Sequence, residues 1–124
     1  GKLAPQPGAP KRAEFLQWVH FSEATAMPPL GAFFQNSFIK PEDKRIPAVV
    51  PEAREAIGKW LKVLDDHLKN RKYLLGDEFS AADVMMGYSV NGAKFSGILD
   101  AHYPHVEAYL GRLAERPAFQ RASR

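Results

Sequence analysis

The residues able to do chemistry in this 124-residue sequence are few, and cysteine is not among them, which excludes disulfides, zinc–thiolate sites and a cysteine nucleophile. His20-x-x-Glu23 and His102-x-x-His105 have the spacing at which two side chains on one helix face could hold a metal, but neither pair has the third ligand that a site needs. No metal site is expected. The adjacent carboxylates Asp65-Asp66 and Glu42-Asp43 stand among lysines and read as solvated charge rather than as an acid–base pair. A glycine-rich phosphate loop and a nucleophile elbow are both lacking, so no catalytic residue is assigned within the chain.

One short segment has its polar groups spaced for a definite task. In Gly76–Val84, GDEFSAADV, Ser80 can accept from the amide of Asp83 while the Asp83 carboxylate reaches back to the amide of Ser80. This is a capping box with Asp in the usual place of Glu. Phe79 before the cap and Val84 four residues after it have the spacing of a hydrophobic staple, and Gly76 supplies the turn that precedes them. The task is helix initiation, not reaction.

The elements that must carry these residues are helical. Gly1–Pro10, with three prolines and two glycines, reads as an interdomain linker, and residues 11–124 as one domain. From Lys11 to about Phe38 the apolar pattern is that of a helix, which Met27-Pro28-Pro29 should kink or break because proline removes an amide donor and crowds the carbonyl four residues back. Ile39–Val50 reads as a surface connection. A second helix is expected over Pro51–Asn70, with Ile57, Trp60, Leu61, Leu64 and Leu68 on one stripe. Further helices are expected over Ala81–Phe95 and Pro104–Glu115, with a last turn from Pro117. With 45% hydrophobic residues and no β-alternation, the sequence implies an all-α bundle of about five helices.

Charge and hydropathy bound the partners. The net charge is +3, and the basic residues are dispersed rather than gathered on a stripe, so nucleic acid is not an expected partner. No run approaches the ~20 apolar residues of a membrane span and no charged-then-apolar leader opens the chain, so the expectation is a soluble, cytoplasmic protein without a membrane partner.

The order Tyr73-Leu74-Leu75-Gly76, three residues, then Ser80-x-x-Asp83 and an apolar helix resembles the capping box and staple of the glutathione S-transferase C-terminal domain. Arg12-Ala13, Leu16-Gln17-Trp18, Phe21-x-Glu23 and Met27-Pro28-Pro29-Leu30 resemble the first helix of that domain in bacterial members. Tyr109-Leu110, Arg112-Leu113 and Glu115-Arg116-Pro117-Ala118-Phe119 look like its closing segment. The resemblance spans essentially the whole chain.

It implies the helical-bundle fold of that domain, with the thioredoxin-like N-terminal half outside this sequence and serving as its partner. That half holds most of the glutathione site, so this chain alone is expected to bind no cofactor and to be inactive, glutathione being the co-substrate of the full-length protein. The resemblance further implies that the first helix forms most of the wall for a small hydrophobic electrophile and that the domain contributes to a homodimer. His20, Glu23, Met27, Leu30 and Phe34 would share that wall if the helix continues through its kink, since they step by three or four residues. Ordinary core packing is the competing reading for Met27, Leu30 and Phe34. The same module also occurs in translation factors and aminoacyl-tRNA synthetases as a non-catalytic protein-interaction domain.

Overall fold

The computed structural model describes residues 2–124, and among them there is no strand. The chain opens with a helical rod built from α1 (Arg12–Phe21), a wide π-type segment (Ser22–Ala26), α2 (Met27–Phe34) and a second π-type segment (Gln35–Ile39). A single 3₁₀ turn (Glu42–Lys44) leads to α3 (Val49–His67), followed by α4 (Ala81–Phe95), α5 (Pro104–Ala114) and the short α6 (Pro117–Ala122). Taken as one rod, the first stretch makes this a bundle of five helices.

The double proline does not break the rod, because the turn before it widens. Pro28 and Pro29 cannot donate to Ala24 and Thr25, and the Met27 amide instead reaches five residues back to Ser22 O. The helix therefore continues, but about a quarter turn out of its former register, because each π-type residue turns less than an α-type one.

α3 begins two residues before Pro51, which sits in the first turn, where an amide is not needed. It ends at His67, before the expected Asn70, and Asn70 takes a left-handed φ of 59° in the loop that follows. Leu74-Leu75 then form the tip of a tight hairpin in which Tyr73 and Gly76 exchange backbone bonds at 2.7 and 3.1 Å. Gly76 has φ 117°, a conformation that side chains strain against.

α4 lies at the centre, packed against the rod on one side and α5 on the other. Its inward residues Ala82, Met86, Val90 and Ala93 recur at helical spacing and are fully buried. Leu61 and Leu64 of α3 and Val106, Tyr109 and Leu113 of α5 complete the core.

The segment read as a linker lies against this domain. The Ala81 amide, first in α4, donates to Leu3 O at 2.7 Å, Arg12 Nη1 donates to Pro5 O at 2.9 Å, and Ala4 packs on the core.

Candidate functional site

The quarter-turn offset decides where the rod's candidate residues point. His20 and Glu23, before or within the first π-type segment, are exposed. Met27 and Phe34, beyond it, are half-buried, and Leu30 is 3% exposed and packed beside Gly92 of α4. The helix is continuous but the face is not: Leu30 turns into the core, while His20 and Glu23 stay on the solvent side.

Phe34 is drawn into an aromatic cluster that the sequence pattern did not reveal. Its ring lies 6.0 Å from Phe38, 6.1 Å from Phe95 and 5.6 Å from Phe33. Phe33 is core, but Phe38 and Phe95 are 59% and 80% exposed. Two large apolar rings left in solvent beside a third are a surface able to take up another apolar or aromatic body. The pairing of Phe34 with Phe38 at four residues was the only local signal. Phe95, at the far end of α4, comes from a different part of the chain.

The capping box has a wider role than starting a helix. Both reciprocal contacts are present at Ser80, whose Oγ also accepts from the Ala82 amide at 3.2 Å. The Asp83 carboxylate is completely buried and accepts from the Ser80 amide at 2.9 Å, the Leu74 amide at 3.0 Å and the Tyr109 hydroxyl at 2.7 Å. It thereby ties the hairpin, α4 and α5 to one group. Burial, reinforced by the Asp83 charge and hydrogen bond, pushes the Tyr109 phenol well above its ordinary pKa.

Phe79 packs edge-on against Tyr73 and carries the Arg116 guanidinium 3.6 Å above its ring, while Val84 is 55% exposed. Both line a groove of about 600 Å³ between α4 and α6, to which Leu3, Tyr88, Leu113 and Phe119 also contribute. Tyr88 is 72% exposed.

Asp65 departs from the reading of a solvated charge. It is 6% exposed and its Oδ1 accepts from the amides of His105 and Val106 at 2.8 and 3.1 Å. The residue before α5, Tyr103, provides no side-chain cap, so a carboxylate from α3 caps the helix across the fold. Asp66 remains on the surface, paired with Lys62.

No group of three or more potential metal ligands occurs among the described residues, and His102 is occupied with Asp100, whose carboxyl is held low by the His102 amide and then by its ring. Among the described residues, no helix is long and apolar enough to cross a membrane.

The family model of the glutathione S-transferase C-terminal domain matches residues 24–117. The chain belongs to that family. A glutathione S-transferase of Hyoscyamus muticus is 38% identical over 78 residues, covering 60% of this chain and 36% of the relative. Elongation factor 1-gamma-A of Xenopus laevis is 34% identical over 80 residues, covering 64% of this chain and 18% of the relative. The glutathione-bound theta class glutathione S-transferase of Xanthomonas axonopodis pv. citri is 30% identical with a TM-score of 0.83, covering 96% of this chain and 57% of that one. The chain thus spans little more than a third of the plant transferase and somewhat over half of the bacterial structure.

Proposed function

We propose that this chain is the C-terminal domain of a glutathione S-transferase, supplying the apolar wall for the electrophile while an N-terminal thioredoxin-like domain binds and activates glutathione. The observation that carries the reading is the exposed aromatic cluster Phe34, Phe38 and Phe95, on a domain whose relatives include glutathione-bound transferases. The whole protein would join the thiolate of glutathione to small hydrophobic electrophiles, a detoxifying reaction in a bacterial cytoplasm. Thiolate formation is the step that activates the nucleophile, and in this reading the group that promotes it belongs to the thioredoxin-like half.

In this reading Met27 and Phe34 edge the electrophile pocket, Leu30 backs it from the core, and His20 and Glu23 face a second subunit of a homodimer. The apolar groove beside Val84 and Tyr88 receives the thioredoxin-like half.

The test is conjugation by the intact protein. Phe38→Ala with Phe95→Ala is expected to raise KM for an aromatic electrophile about tenfold, from loss of apolar burial, while leaving KM for glutathione unchanged. Intact protein that neither binds glutathione nor conjugates it overturns the reading.

The similarity to elongation factor 1-gamma favours a second reading, a non-catalytic interaction module. The intact protein would then lack turnover but be retained in a stable complex with a partner, which size-exclusion chromatography of the native assembly distinguishes.

A further inference from the structure

A cleft of about 450 Å³ opens on another side of the domain, between the loop after α3 and the outer face of α5. Arg71, Lys72, Arg112 and His105 line it, and exposed Ala108 with the edge of buried Leu68 gives it a small apolar floor. None of the lining residues carries a carboxylate. The carboxylates nearby are already committed: Asp65 points inward to the α5 amides, Asp66 pairs with Lys62, and Glu14 pairs with Arg71 at 2.9 Å. With Arg71 shared with Glu14, Lys72 and Arg112 remain as cations without a carboxylate among the lining residues, so the cleft is locally positive.

The loop is held in this arrangement before any ligand arrives. Arg112 donates from Nε to Lys72 O at 3.0 Å and from Nη2 to Arg71 O at 3.3 Å, which clamps the loop against α5 and leaves its other N–H groups without a partner among the described residues. Asn70, the one non-glycine residue with positive φ among those described, makes the turn that brings Arg71 and Lys72 beside the helix. Cations fixed in this way lose less freedom on binding than solvated side chains do.

We propose that this cleft docks an acidic peptide segment of a protein partner. A carboxylate offers the planar acceptor that a guanidinium engages with two parallel bonds, and an extended peptide backbone covers an apolar floor that a bare inorganic anion would leave wet. Nucleic acid fits less well, because Tyr73 is 7% exposed and lies under Lys72, leaving half-buried His105 as the one ring in the lining against which a base could stack. The proposal needs only the folded domain and stands whether or not the intact protein is a transferase.

Titration of the isotopically labelled chain with a short polyglutamate peptide, followed by NMR, tests it. Amide shifts are expected to cluster on Asn70–Lys72, His105 and Arg112, with affinity falling as salt is added. Lys72→Glu is expected to weaken binding about tenfold, whereas Lys59→Glu, the same charge change on the exposed face of α3, leaves it unaltered. Lys72→Gln provides the same comparison if the charge reversal disturbs folding. Shifts scattered over every basic face, or equal weakening by the Lys59 and Lys72 variants, overturn the proposal in favour of net charge alone. Tighter occupation of the same amides by inorganic phosphate or a single-stranded oligonucleotide overturns it in favour of a phosphate ligand.

Discussion

Tyr109 donates a hydrogen bond to a fully buried carboxylate, and its own phenol therefore links stability to alkaline pH. The folded state raises the phenol pKa, so the stabilisation is complete below the ordinary tyrosine value of about 10 and declines as pH rises through the folded value. The unfolded chain releases this proton first, and alkali favours it. Tyr109→Phe removes a hydrogen bond to a buried charge, at an expected cost of about 2 kcal/mol near neutral pH. The variant should also show a flatter loss of stability above about pH 10, measured as the denaturant midpoint against pH. An unchanged alkaline slope would exclude Tyr109 as its source. Residues of this kind were only half legible: Ser80 and Asp83 are three apart and announce their pairing, while Tyr109 lies 26 positions from Asp83 and nothing local links the two. Asp65 was misread for the same reason, since the amides that it caps are 40 and 41 positions away.

At the scale of the element, α4 shows what a helix terminus gains from a cap that is also a junction. Ser80→Ala removes a cap and is expected to cost about 1 kcal/mol. Asp83→Ala should cost about 3 kcal/mol, because it also strands the Leu74 amide and the Tyr109 hydroxyl in the interior. Chemical denaturation of the two variants checks the ratio; equal effects would mean that Asp83 acts only on its own helix. The bounds of α4 were readable because the box is local and strong. The rod was harder: its prolines are visible in sequence, but relief by a widened turn depends on the Met27 amide finding Ser22 O. That difference turns Leu30 into the core, the packing alternative that the sequence left open beside a pocket wall.

The whole molecule leaves one side of its central helix uncovered. Val84, Tyr88 and Phe95 follow at helical spacing along α4, and each is more than half exposed. A stripe of that kind beside an apolar groove favours association. The chain on its own is expected to sediment with a concentration-dependent mass, and Tyr88→Glu to restore a single monomeric species. A wild-type chain that stays monomeric throughout would show that the exposed stripe is not adhesive. The all-α architecture followed from composition and periodicity, whereas this uncovered side did not, since exposure depends on what packs beside a helix rather than on the helix itself.

The contact between Leu3 and Ala81 bears on how the gene can be divided. A version beginning at Lys11, where the helical pattern starts, would discard the carbonyl that receives the leading amide of α4 and the Ala4 side chain packed against the core. The short run of prolines and glycines is thus a strap buckled onto the first turn of the central helix, and removing it should loosen that turn.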